Sequence, residues 1–287
     1  MQIDVEDWFC DLETNEWDKK ESRVVKSTER ILELLKKTNN KATFFILGYV
    51  AEKFPALVKK IEKEGHEITS HGYCHKRIDE QTPEEFEDDL KKSIKILEKI
   101  TKDKIKGYRA PQFTITKKTL WALDVIKKLG LKYDSSIFPV KTPLYGIEDA
   151  PLYPYKTKTR NGELLEIPLS IYKMPILKKN IPIAGGFYLR FFPSFFISHA
   201  VKKINNSGNS AVLYIHPWDL DFGKPKLKPK SLRKYYSFDA SDKSLKWFHY
   251  YGLKKAERKF ERLLNGFKFT STEDWINKNS NGTGKRS

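Results

Sequence analysis

The 287-residue sequence has only two cysteines, Cys10 and Cys74, and only two methionines. Two cysteines exclude a disulfide scaffold and a four-cysteine zinc site, leaving at most one bridge between them. No apolar run approaches the roughly 20 residues needed to cross a bilayer. The opening MQIDVEDWF has neither the basic region nor the apolar stretch of a signal peptide. The expectation is a chain that works in the cytoplasm. No internal repeat, zinc-finger spacing or RNP motif is present, so nucleic acid is not an expected partner. Acidic charge is the scarcer sign, with 37 Asp+Glu against 54 Lys+Arg and a net charge of +17. That excess is a statement about partners rather than fold, and it suits a Lys-rich solvated surface or an anionic membrane face. High Lys with few Gln, Met and Cys resembles thermophile usage, and an AT-rich genome gives the same bias.

What is present is a regular alternation. Short β-rich runs lie at Gln2–Val5, Lys41–Leu47, His66–His71, Lys106–Arg109, Lys132–Ser136, Leu164–Leu169, Ala211–His216 and Phe267–Thr270. Amphipathic stretches lie between several of them. Val24, Ile31, Leu34 and Leu35 share a helical face, and Pro55–Glu64 stops at Gly65. Thr82-Pro83-Glu84-Glu85 has the form of a capping box, followed by the stripe Phe86, Leu90, Ile94 and Leu97. Thr116–Leu129 ends at Gly130, and Leu253–Leu264 ends before Gly266. Alternating strands and helices predict a parallel sheet. About eight strands predict a closed or nearly closed α/β barrel, with function at the C-terminal strand ends. Pro139–Gly162, Ile171–Pro193 and Trp218–Tyr251 read as decorating loops. Residues 1–276 are expected to form one domain, with a C-terminal extension from about 218. Residues 277–287 are expected to be a disordered polar tail.

Chemistry-bearing residues fall where these strand patterns stop. Asp4, Glu6 and Asp7 follow the first run, and acids at a strand end suit a metal ligand or a base. His71 and His75 are four apart just past the third run. Two imidazoles plus a carboxylate, with open positions, is a catalytic divalent-metal arrangement. Cys74 sits between them and is a packing residue or a further ligand; His66 precedes the strand and reads as structural. Arg109, in GYRAP, can orient a carboxylate through paired hydrogen bonds. Asp134 ends the fifth run, and His216, in LYIHPWD, ends the seventh. An Asp that orients a His is a standard way to hold an imidazolium as general acid.

Together DVEDWF, KATFFILGYVAEKFP, GHEITSHGYCH, GYRAP, YDSSIFP and LYIHPWD resemble the polysaccharide deacetylases of carbohydrate esterase family 4, the NodB-homology fold. The similarity runs from Asp4 to about Trp275. With GGFYLR and the stretch after HPWD, it points to the branch found at exopolysaccharide loci. The resemblance implies a distorted or incomplete TIM-like barrel of seven to eight parallel strands. It implies Asp4 as general base, Arg109 as its partner, His216 as general acid and Asp134 as the group orienting His216. It implies a divalent metal, with Zn²⁺ expected, on His71, His75 and one acid. The family uses adjacent aspartates or Asp-x-Asp, whereas this chain has Asp4-Val5-Glu6-Asp7. Strand alternation favours Glu6 if the strand continues. If it ends at Val5, Asp7 can swing in, and the family's usual Asp ligand leans the expectation to Asp7. Only three residues precede Asp4, which leaves open a start further upstream. The implied reaction removes acetyl groups from N-acetylated sugars of a polysaccharide or glycan precursor, with loop aromatics Trp8, Phe113, Tyr145, Phe187, Tyr188 and Trp218 as candidates for stacking on sugar. The alternatives are an allantoinase-like amidohydrolase on a small cyclic amide and a non-catalytic glycan-binding relative. A lipid-linked sugar at the inner membrane face would suit the +17 charge.

Overall fold

The second strand shows why the sheet forms. Its four residues, Thr-Phe-Phe-Ile, are all buried, as a strand covered on both faces requires. A computed structural model of the chain describes residues 1–140, 142, 145–174, 179–228, 230–232 and 241–280. Its first half runs β1 (Gln2–Val5), α1 (Val24–Lys37), β2 (Thr43–Ile46), α2 (Gly48–Lys53), α3 (Pro55–Lys63), β3 (Glu67–Ser70), α4 (Pro83–Thr101), β4 (Gly107–Tyr108), α5 (Trp121–Lys128) and β5 (Tyr133–Asp134). The second half runs β6 (Tyr155–Thr159), β7 (Gly162–Glu166), β8 (Ile171–Met174), β9 (Lys179–Pro182), α6 (Gly186–Phe191), α7 (Ser194–Asn206), β10 (Tyr214–Ile215), α8 (Asp242–Tyr250), α9 (Leu253–Gly266) and α10 (Thr272–Ser280).

Eight strands form one sheet in the order β10-β1-β2-β3-β4-β5-β7-β6. The seven from β10 to β7 are parallel, and β6 pairs antiparallel on the edge. The sheet is therefore an incomplete barrel. Its two ends are tied by Ser170, whose N–H donates to the Val212 carbonyl at 3.1 Å and whose Oγ accepts from the Val212 N–H at 2.7 Å. The register brings Val5 level with Ile46 and Ile46 level with Ser70, so β1, β2 and β3 end together. Gly107 is required where it stands, because a Cβ there would lie 2.2 Å from the Tyr133 ring.

The α4 capping box is formed. Thr82 Oγ1 accepts from the Glu85 N–H at 3.2 Å, and Glu85 Oε2 accepts from the Thr82 N–H at 3.0 Å. Thr82→Ala is expected to cost about 1 kcal/mol in urea unfolding, and Thr82→Ser about none. An equal loss for both would show that the hydroxyl is not the stabilising group.

Several expectations are corrected. Phe267–Thr270 joins no ladder. Phe269 N–H donates to Asn40 Oδ1 at 2.6 Å and its carbonyl accepts from Lys41 N–H at 3.2 Å, so the segment crosses beneath the barrel on single bonds. The α5 helix begins at Trp121 rather than Thr116, because Thr119 Oγ1 accepts from the Thr116 N–H at 2.8 Å and donates to the Thr114 carbonyl at 2.7 Å, a local turn that competes with helix. The three stretches read as loops contain β6, the β8–β9 hairpin, α6 and α8, while 141, 143–144, 175–178, 229 and 233–240 lie outside the described residues. The tail read as disordered from 277 supplies the last turn of α10, and 281–287 lie outside the described residues. The α10 helix caps the barrel floor, where Thr272 N–H donates to Thr43 Oγ1 at 2.7 Å and Glu273 N–H to Glu67 Oε2 at 3.0 Å. Cys10 and Cys74 are both free thiols.

Candidate metal centre and active site

The even ends of β1, β2 and β3 place Glu6 and His71 one residue beyond their strands. His71 N–H still donates to the Ile46 carbonyl at 3.0 Å, so its backbone is fixed by the sheet. The chain then turns at Gly72, with φ +78°, and returns at His75, with φ +55°. Asp89 of α4 holds that turn by accepting from Tyr73 N–H at 2.7 Å and Cys74 N–H at 3.2 Å. Cys74 Sγ also donates to Asp89, at 3.0 Å, so it is not directed at the histidines.

Glu6, His71 and His75 converge, with one ligand atom from each lying within 4.8 Å of the others, all buried. Glu6 Oε2 is 2.6 Å from His75 Nε2 and 3.8 Å from His71 Nε2, and it accepts no other hydrogen bond. His71 Nδ1 lies 2.8 Å from the Arg109 carbonyl, to which only an N–H can donate, so Nε2 carries the lone pair facing Glu6. His75 Nδ1 faces Asp11 at 3.4 Å. Burial would push Glu6 up, but the charges of His75 and His216 and the hydrogen bond from His75 hold its carboxyl well below the usual range. Burial would lower His75, and Glu6 and Asp11 instead lift it to about 9. A cation would take the lone pairs that this proton holds. Two imidazoles and one carboxylate on otherwise unsatisfied atoms fit a divalent ion.

Asp7 points elsewhere. Its carboxylate accepts from Ser22 Oγ, Arg23 N–H at 3.1 Å and Val24 N–H at 3.3 Å, at the N-terminus of α1. The first strand's alternation sends Glu6 to the histidines and Asp7 outward to a helix end, where negative charge is favoured. The lean to Asp7 as a ligand is thus corrected by the geometry.

Asp4 lies in the same pocket, 2.6 Å from Arg109 Nη1. Arg109 is fully buried. Its Nε donates to the Ser135 carbonyl at 2.9 Å, its Nη2 to Ser135 Oγ at 2.9 Å and to Gln2 Oε1, and its guanidinium lies 4.3 Å from the Phe45 ring centre. That fixes the Asp4 carboxyl in place as an acceptor.

His216 faces Glu6 Oε1 at 3.5 Å through Nε2, while its Nδ1 meets Asp219 Oδ2 at 2.9 Å. Asp134 does not touch it. Asp134 accepts from Ser136 N–H at 3.0 Å and Ser136 Oγ at 2.6 Å, beside buried Glu166. Burial raises both acids, and the Asp134 charge raises Glu166 further. The expected role of Asp134 is corrected: Asp219 occupies that place. Burial would lower His216, but the Glu6 charge and the Asp219 hydrogen bond raise it. Asp219 is in turn lowered despite burial, by the His216 bond and the Arg190 charge, with Arg190 Nε 3.1 Å from Oδ1. Gly186 makes room for this carboxylate, since a Cβ there would lie 1.7 Å from Oδ2.

The pocket holding these groups has a cavity of about 240 Å³. Phe113, Tyr145, Phe187 and Tyr188 line it. Trp218 also borders it but is 7% exposed, donates to Glu6 Oε1 at 3.0 Å, and stacks on His216 at 4.4 Å and His249 at 5.6 Å. Its ring is committed to holding the site rather than to a sugar. Trp8 is not in the lining; its indole donates to the Glu21 carbonyl at 3.1 Å. A cavity of about 290 Å³ at the barrel floor has no histidine or carboxylate in its lining. Asp11, Asp89 and Asp219 were not named as site residues from the sequence, and Gly186 entered only as part of GGFYLR. His216-Pro-Trp-Asp219 carries the one usable signal, a capping-box spacing that returns the carboxylate to the His216 N–H at 3.0 Å.

Residues 17–133 match the family described as polysaccharide deacetylase, and residues 135–277 match a domain of unknown function (DUF3473). Residues 17–133 thus carry a polysaccharide deacetylase domain, and the fold is of the NodB type. A peptidoglycan-N-acetylglucosamine deacetylase of Bacillus cereus is 34% identical over 120 residues, which is 38% of this chain and 44% of that protein. A peptidoglycan deacetylase of Helicobacter pylori is 35% identical over 108 residues, 38% of this chain and 36% of that protein. The chain thus spans less than half the length of these curated relatives. Among solved structures, a Mycobacterium smegmatis protein provisionally described as a polysaccharide deacetylase superposes with a TM-score of 0.61 at 19% identity, over 99% of this chain and 90% of that one. A Puue allantoinase superposes at 0.52 and 16% identity, over 88% of this chain and 72% of that one. At these identities the two structures show the fold alone.

Proposed function

We propose that the chain is a metal-dependent hydrolase that removes acetyl groups from N-acetylated sugars. The observation that carries this is the single pocket in which the Glu6–His71–His75 cluster, the Asp4–Arg109 pair and the His216–Asp219 pair meet. The relatives named as deacetylases of peptidoglycan N-acetylglucosamine support the substrate class. Glu6, His71 and His75 would hold the ion, and the donor set suits Zn²⁺. A divalent ion held there would supply Lewis acidity for the acetyl carbonyl and for a water. Asp4, held in position by Arg109, takes the proton of the attacking water. His216, kept as imidazolium by Asp219, gives a proton to the departing sugar amine. Amide and water become acetate and a free amine.

The test is acetate release from N-acetylglucosamine oligomers. Activity is expected to fall to background after dipicolinate treatment and to return with Zn²⁺ at about one ion per chain. Absence of bound metal after reconstitution would overturn the mechanism. Turnover of a small cyclic amide with none of the oligomers would move the chain to the allantoinase-like reading.

A further inference from the structure

Among the described residues, five of the seven exposed large hydrophobic side chains fall between 191 and 251, and all five are aromatic: Phe191, Phe195, Phe222, Trp247 and Tyr251. Three of them form one patch, with Phe191 6.2 Å from Trp247 and 6.0 Å from Tyr251, and Trp247 4.7 Å from Tyr251. The patch continues into the pocket. Phe191 stacks on Phe187 at 5.7 Å, Phe187 meets Phe248 at 5.5 Å, and Phe187 and Phe248 are pocket walls. Solvent-exposed aromatic rings in such density mark a binding face.

Charge says what kind of face. Residues 186–262 carry sixteen Lys and Arg against six Asp and Glu. Lys243 lies four residues before Trp247, and Tyr251 four after it, so an exposed lysine and the two rings share one helical side. Lys246, Lys254 and Lys255 are exposed beside them, and Lys254 lies 5.0 Å from the centre of the exposed Phe222 ring. Amphipathic rings with flanking lysines are the composition that sits at a membrane–water interface and meets anionic headgroups. No described helix is long and apolar enough to cross a membrane, so contact would be with the surface.

We propose that the Phe191–Trp247–Tyr251 patch and its lysines dock on an anionic phospholipid surface, with the pocket opening beside it. This rests on the deacetylase reading only for its consequence, that the acetylated glycan is presented at a membrane. The docking itself is measured without turnover. The full chain is sedimented with phosphatidylcholine vesicles with and without phosphatidylglycerol, at about 0.1 M salt. Binding is expected with phosphatidylglycerol only, and release in about 1 M salt. The F191A/W247A/Y251A variant and the K243E/K246E variant are each expected to lose about tenfold or more in partitioning. Both should keep their circular dichroism and their acetate release from a soluble oligomer, since none of these residues is in the pocket. Failure of the intact chain to bind phosphatidylglycerol vesicles would overturn the proposal, as would undiminished binding by the aromatic variant. Self-association abolished by that variant, with no response to lipid, would assign the face to a second copy instead. Equal competition by a soluble acidic polysaccharide would assign it to glycan.

Discussion

Glu6→Ala is expected to lose its metal and its activity, whereas Asp7→Ala is expected to keep both. Removing Glu6 takes away the only carboxylate of the proposed ligand set, leaving His71 and His75. Loss of the Lewis acid withdraws several kcal/mol from the transition state, so kcat/KM should fall by about 10³-fold or more. Asp7 acts on a different quantity. It satisfies the first backbone N–H groups of α1, a helix whose own N-cap residue, Arg23, makes no side-chain capping bond. Its replacement by Ala should cost about 1–2 kcal/mol of stability. That corresponds to roughly 2–8 °C in melting temperature for a protein above 150 residues. Metal analysis of both purified variants, with a melt of each, decides the matter. An Asp7→Ala protein that folds without metal would put the ligand set wrong, and a Glu6→Ala protein with a full complement of ion would do the same.

The same pair shows what the sequence can and cannot say. Asp4 and Glu6 share a side of β1 by alternation alone, and that was readable. Whether Asp7 turns back to the histidines depends on Ser22 and the start of α1, sixteen or so residues on, and local pattern holds no trace of such a contact. The parallel strands and α1, α3 and α4 were legible because each has an apolar run or stripe that must be buried. The β6 edge was not, because its alternation is polar and Lys-rich, as edge strands are, although Asn161-Gly162 is a hairpin turn signal in plain view. The HxxxH spacing was legible, but the device that lets it work was not. His75 reaches the site only because Gly72 and His75 itself adopt positive φ and Asp89, from the middle of α4, holds the turn. Asp134 drew attention by standing at a strand end, yet its side chain is taken by Ser136 and Glu166. Position along a strand told which end of the barrel a residue occupies; it did not tell which neighbour the side chain meets.

Asp219→Asn is expected to lower kcat by about 10²-fold or more and to move the alkaline limb of the pH–rate profile to lower pH. In the proposed mechanism His216 must be protonated to act as acid, so activity should fall as pH rises through its pKa. Burial alone would depress that pKa. The Glu6 charge and the Asp219 hydrogen bond raise it, which keeps the imidazolium above the pH at which a free imidazole loses its proton. A bound cation would offset the Glu6 charge, leaving Asp219 as the anion in contact with the ring. The asparagine keeps the shape but removes the charge, so the folded-state pKa drops back toward its ordinary value and the limb shifts down. Asp134→Asn gives the opposite pattern. It disturbs the buried Asp134–Glu166 pair and the Ser136 bonds, so it should cost stability while leaving the limb in place. A limb that moves in Asp134→Asn and not in Asp219→Asn would return the orienting role to the strand-end acid. The geometry argues against that outcome, because the Asp219 carboxylate is held on three sides: by the His216 ring, by the Arg190 guanidinium and by a Gly186 backbone that no other residue could replace.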